Sequence, residues 1–201
     1  MPTMTAALPT PNSSRRTLLL LATIFFLPFF ISSGLFWLDW RPGKFANHGD
    51  LLQPPRPLPE TGLLHGDGRP LPSTELRGKW LLLMPVQDVC NASCQTRLQQ
   101  MLQVHVALNK EQSRLQRVLF VGGAADTANL VQVQQRFPDL VIASVPSGTA
   151  VDAWERALDG RGHPIYIVDP LGNVMMRYAE PNDLRGVLKD LERLLKYSWI
   201  R

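Results

Sequence analysis

Cys90 and Cys94 are the only two cysteines in the chain, and they stand in the stretch PVQDVCNASCQTRLQQM, residues Pro85 to Met101. Three residues separate them. On a helical turn, positions four apart share a face, so both sulfurs can point at one spot. Three chemistries fit that arrangement. As a dithiol–disulfide pair the cysteines can exchange with a partner's disulfide, and a bridge across one helical turn is expected to be reducible. As thiolates they suit Cu(I), and an added imidazole would also accommodate Cu(II). As a structural staple they would close so short a loop that the entropic gain is small. The first two uses need a thiolate, which a helix N-terminus favours.

The chain has four histidines: His48, His65, His105 and His163. His48 falls in a proline-rich stretch and reads as a solvated residue. His65 falls in an early hairpin and is expected to be exposed. His105 follows Cys94 on the same predicted helix, near its apolar face, and reads as a core or boundary residue. His163 precedes Pro164 in a loop entering a late strand, and it is the histidine best placed to face the cysteines. Met175 and Met176 are adjacent in a predicted strand and so face opposite sides. At least one is therefore a core residue, and a ligand role is disfavoured. Asp88 reads as a solvated loop residue rather than a proton relay.

The elements that must position these groups begin with an anchor. Thr17 to Leu38 carries no charge. At about 1.5 Å per helical residue it spans roughly 33 Å, enough to cross a hydrocarbon core of about 30 Å. Trp37 and Trp40 fall where the far interface belongs. Arg15 and Arg16 precede the span, which places residues 1–16 in the cytoplasm and the bulk of the chain in the periplasm of a bacterium. No A-x-A site follows the apolar run, so it reads as a retained anchor rather than a cleaved signal peptide. The arginine pair reads as an orientation signal rather than a twin-arginine export signal.

Residues 39–62 contain Pro54, Pro55, Pro57 and Pro59 and read as a stiff spacer. From 63 to 201 the pattern is a hairpin around Gly66–Gly68, then β-α-β-α-β-α-β-β-α. Strands alternating with helices imply an α/β sandwich with parallel strands, closed by an antiparallel hairpin at one edge. Lys79 to Val86 is a continuous apolar run that suits a central strand. This is the order of a thioredoxin-like fold, in which the first long strand feeds its loop into a helix N-terminus. The cysteines occupy that loop. Charged residues are 19% of the chain and the formal net charge is +4. The basic residues are scattered, which argues against a nucleic-acid partner.

The run LRGKWLLLMPVQDVCNASCQTRL resembles the Sco family of cytochrome c oxidase assembly proteins. Gly78, Lys79, Cys90, Cys94, Thr96 and Leu98 fit its pattern. Asp126 and Thr127 match an Asp-Thr pair after its next strand. His163, Tyr166, Asp169, Pro170 and Gly172 fit its histidine loop, strand and D-P-x-G turn. The likeness runs from about Leu71 to Lys196. The chain also looks like transmembrane proteins found alongside oxidase assembly proteins in proteobacteria. The resemblance implies copper held by Cys90, Cys94 and His163. It implies delivery to an oxidase copper site or thiol reduction of one. It implies as partner a respiratory oxidase subunit or another copper or thiol assembly factor. Two features depart from the family. Asn91 and Gln95 stand where proline usually follows each cysteine, and His163 lies nearer the D-P-x-G turn, with a proline after it as in the cis-proline loop of thioredoxins. Thiol–disulfide exchange, with Cys90 attacking and Cys94 resolving, and a non-catalytic scaffold remain alternatives.

Overall fold

The computed structural model describes residues 11–38, 40, 47–59, 62–87, 89–123, 126–145, 149–158, 163–179 and 183–198. The chain divides into two units, Met1–Ala46 and Asn47–Arg201.

The first unit contains helix α1, Pro11–Trp37, with Pro28 inside it. Its stretch Arg15–Trp37 is 23 residues long with a mean hydropathy of 2.2 and is long and apolar enough to cross a membrane. Its large apolar side chains, Leu18 to Trp37, are exposed, as a lipid-facing helix requires.

The second unit is a mixed seven-stranded sheet in the order β1-β7-β6-β3-β4-β5-β2. The strands are β1 (Asp50–Pro57), β2 (Leu64–His65), β3 (Trp80–Val86), β4 (Leu115–Gly122), β5 (Val141–Val145), β6 (Ile165–Val168) and β7 (Asn173–Tyr178). The helices are α2 (Ala92–Ala107), α3 (Thr127–Arg136), α4 (Thr149–Ala157) and α5 (Leu184–Tyr197). The apolar run read as a central strand is β3. It pairs parallel with β4 and antiparallel with β6. Its residues from Leu81 to Met84 are fully buried because both faces of the sheet are covered.

Alternation along β3 divides the core. Trp80, Leu82, Met84 and Val86 face a layer that includes Leu98, Met101, Val133, Val187 and Leu191 from α2, α3 and α5. Leu81 and Leu83 face the other layer with Phe120, Tyr166 and Trp154, the last on α4. Trp154 stacks on Phe120 at 4.5 Å between ring centroids. Each fully buried leucine in these layers contributes about 1.5–3 kcal/mol through loss of water-exposed apolar surface.

Two sequence expectations need correction. The β6–β7 hairpin is not an edge, because β1 pairs antiparallel with β7 and covers it. That strand lies inside the stretch read as a spacer. Proline has no N–H to give a ladder, but an edge strand leaves one side of its backbone unpaired and tolerates it. The register is interrupted between Leu51 and Arg56, where Pro54 and Pro55 fall. The hairpin turn itself matches expectation. Asp169 Oδ1 accepts from the N–H groups of Leu171 and Asn173, and Gly172 takes φ +91°, a conformation that favours glycine.

His48 is exposed, in keeping with its reading as a solvated residue, but it also has a partner. Its Nδ1 lies 3.2 Å from Asp190 Oδ1 on α5. The N–H groups of His48 and Gly49 and the hydroxyl of Tyr178 all donate to Asp190 Oδ2, at 2.7, 3.1 and 2.8 Å. Asp190 is 3% exposed. Burial pushes its carboxyl up, but these hydrogen bonds outweigh burial and hold it below the usual carboxylate range. Burial and the adjacent carboxylate both push the Tyr178 hydroxyl well up. The approach is close: a Cβ on Gly49 would meet the Tyr178 ring and one on Gly186 would meet His48. The folded unit therefore begins before β1 and is tied there by a buried carboxylate.

Candidate functional site

Strand β3 ends at Val86, and the chain enters α2 through Asn91, its N-cap. Asn91 is well chosen for that place. Its Oδ1 accepts the N–H of Cys94 at 3.0 Å and the hydroxyl of Ser93 at 2.7 Å, satisfying one of the orphan donors of the first turn. A proline there would have no such side-chain acceptor. Cys94 sits in the first turn of α2, and Cys90 sits just outside it.

Cys90 and Cys94 form a disulfide, with Cα atoms 5.1 Å apart. The two residues are 1% and 0% exposed and belong to the core layer under α2 and α5. A reagent or partner must therefore move something to reach the sulfurs. Val89, the residue before the pair, is exposed. Asp88 lies outside the described residues.

The other end of the site is the loop before β6. Arg97, one turn beyond Cys94 on α2, is 5% exposed. Its Nε donates to the carbonyl oxygen of His163 at 3.3 Å, and its Nη1 donates to Gln100 Oε1 at 3.0 Å. The main chain of His163 is thus held against α2, the helix that carries Cys94. Its side chain is half-buried. The only cis peptide bond among the described residues is Gln53–Pro54, so the bond from His163 to Pro164 is trans. Among the described residues, no group of three or more His, Cys, Asp or Glu side chains is placed to share a metal ion. As copper donors, the two sulfurs fit Cu(I), a soft ion satisfied by few ligands, once the disulfide is reduced. The three-donor set is not assembled around the disulfide.

The remaining candidates fall elsewhere. His65 Nε2 lies 3.4 Å from Glu75 Oε2. His105 is a boundary residue, with Nε2 3.0 Å from the carbonyl oxygen of Gln112. Met176 is buried and receives the Tyr178 hydroxyl at 3.8 Å, while Met175 packs at the margin of the core.

Sequence reading missed two residues that touch the cysteine segment. Arg97 stands between Thr96 and Leu98 on α2, and a lone arginine in a helix signals nothing by itself. Asn129, on α3, bonds the main chain of Cys90 from 39 residues away in sequence, and no local pattern marks it.

A match to the family described as transmembrane-like, thioredoxin-like, C-terminal domain spans residues 80–198. The chain belongs to that family. No curated protein sequence matches it. Solved structures with the same thioredoxin-like fold include Sco proteins. BsSco, a member of the Sco family of cytochrome c oxidase assembly proteins described with a disulfide switch, is 14% identical. The match has a TM-score of 0.60 and covers 76% of this chain and 99% of that one. Copper-bound yeast Sco1 is 16% identical with a TM-score of 0.55, covering 78% and 96%. A thioredoxin-family thiol:disulfide interchange protein from Chlorobium tepidum is 18% identical with a TM-score of 0.50, covering 71% and 94%.

Proposed function

We propose that this family member is a membrane-anchored protein that handles copper and thiols in assembling the copper site of a respiratory oxidase. Cys90 and Cys94 are its working groups. The observation that carries this reading is the meeting of the two sulfurs at the N-terminus of α2, within a Sco-like fold. The disulfide is the oxidised, metal-free state. Two electrons and two protons from a partner dithiol convert it to the reduced pair. The two thiolates then take Cu(I) as cargo, and His163, on the loop that Arg97 holds, is the third donor. The copper held by yeast Sco1 supports the choice of metal.

The disulfide itself supports a second reading, thiol–disulfide exchange. In that reading the Cys90 thiolate attacks a partner's disulfide, forms a mixed disulfide and releases one partner thiolate. The Cys94 thiolate then attacks Cys90 Sγ and releases the second. The partner leaves reduced by two electrons and the pair is oxidised.

Cu(I) titration of the reduced full chain in detergent separates the readings. One tight copper per chain is expected, weakened at least about tenfold, or 1.4 kcal/mol, by His163→Ala. Unchanged affinity in that variant removes His163 from the site. No tight copper in the parent chain leaves exchange or a non-catalytic scaffold, which the reduction potential of the pair then separates.

The working pair lies on the periplasmic side of the inner membrane, because Arg15 and Arg16 hold the N-terminal tail in the cytoplasm. A C-terminal reporter that functions only in the cytoplasm should therefore be silent, and strong activity from it would reverse the orientation.

A further inference from the structure

Cys94 is carried by a helix, but Cys90 is not. It precedes the N-cap, and its own main chain makes no helical hydrogen bond to fix it. What fixes it comes from α3. The N–H of Cys90 donates to Asn129 Oδ1 at 2.9 Å, and Asn129 Nδ2 donates to the carbonyl oxygen of Cys90 at 3.3 Å. One primary amide thus satisfies both polar groups of a single peptide residue and uses its own donor and acceptor to do so. A second tie joins α3 to α2 itself, from Arg136 Nη1 to Gln95 Oε1 at 2.9 Å. The two residues that follow the cysteines have related tasks: Asn91 takes the N–H of Cys94, and Gln95 meets α3.

We infer that Asn129 is a positioning residue for the cysteine pair, holding Cys90 beside Cys94 when the disulfide is open. The inference rests on the reading that this pair changes redox state. Neither hydrogen bond uses a sulfur atom, so neither needs the disulfide to exist. In the oxidised chain the S–S bond already holds the loop, and Asn129 is redundant as a restraint. In the reduced chain Asn129 is the restraint that remains. Removing it frees the Cys90 loop only in the reduced form, which gains conformational entropy there. The effective concentration of one thiol near the other then falls, and the equilibrium moves from disulfide toward dithiol.

The test is the equilibrium of the full chain, in detergent, with glutathione buffers. Asn129→Ala should lower the equilibrium constant for disulfide formation about tenfold, equivalent to a reduction potential higher by about 30 mV. Gln132→Ala, an exposed position on the same helix, should leave it unchanged. Melting of both redox forms separates positioning from packing. The oxidised form should lose more stability than the reduced form, whereas a packing role would cost both equally and leave the potential in place. An unchanged potential in Asn129→Ala, with a normally titrating parent chain, overturns this inference alone. A parent disulfide that does not respond to the buffers overturns both it and the functional reading beneath it.

Discussion

Replacing Cys90 and Cys94 together by serine should abolish Cu(I) uptake and disulfide exchange while leaving a folded domain. A serine hydroxyl is a hard, neutral oxygen that neither binds Cu(I) tightly nor attacks a disulfide. The cost to the fold is modest because the bridge spans four positions and removes little loop entropy from the unfolded chain. Burying two hydroxyls where sulfurs were packed costs about 2 kcal/mol in all. Circular dichroism should therefore show a folded protein, and metal analysis should show no copper where the parent is expected to hold one per chain. Copper retained one per chain in this variant would place the metal elsewhere. The single variants divide the roles. Cys94→Ser leaves Cys90 able to attack but nothing to resolve the product, so a mixed disulfide with a partner should accumulate. Cys90→Ser should accumulate none if Cys90 is the attacking residue.

Asp190→Ala should destabilise the domain by about 3 kcal/mol, because it strands buried donors that the carboxylate now satisfies. The buried Tyr178 hydroxyl and Gly49 N–H, together with the part-buried N–H of His48, converge on one oxygen. A lower urea midpoint at unchanged slope would report this, and an unchanged midpoint would show that the cluster contributes nothing. The same carboxylate sets an acid limit. Its pKa is lower in the folded chain than in the unfolded one, where a carboxylate titrates near about 3.9. The unfolded chain thus binds the proton first as pH falls. The contribution is present in full above that value and is lost as pH drops through the folded pKa. Asp190→Asn, which cannot titrate, should show a flatter stability profile below about pH 4 than the parent. Equal slopes would assign the acid sensitivity to other groups.

The sequence by itself determined most of the elements and the cysteine pair. Continuous apolar runs at β3 and β4, alternation with amphipathic helices, and the turn residues Asp169 and Gly172 dictate local structure through side-chain period and backbone conformation, and both are properties of neighbours in the chain. The apolar helix was legible for the same reason. The two cysteines stood out because no others compete with them, and a pair four apart at a strand-to-helix junction can meet only in a few ways.

Tertiary structure decided what depends on residues far apart. Pro54 and Pro55 suggest a spacer when read locally, and only the exposed edge of β7 turns their stretch into a strand. His48 is exposed, as its local sequence suggests, but its partner Asp190 lies 142 positions later and only the fold brings the two together. Arg97 and Asn129 act through main-chain atoms of His163 and Cys90. Main-chain atoms are the same at every position, so a contact with them leaves no mark on the residue types around it. The surroundings of Cys90 are therefore set by the packing of α3 against α2, which forms only when the sheet brings both helices to the same face.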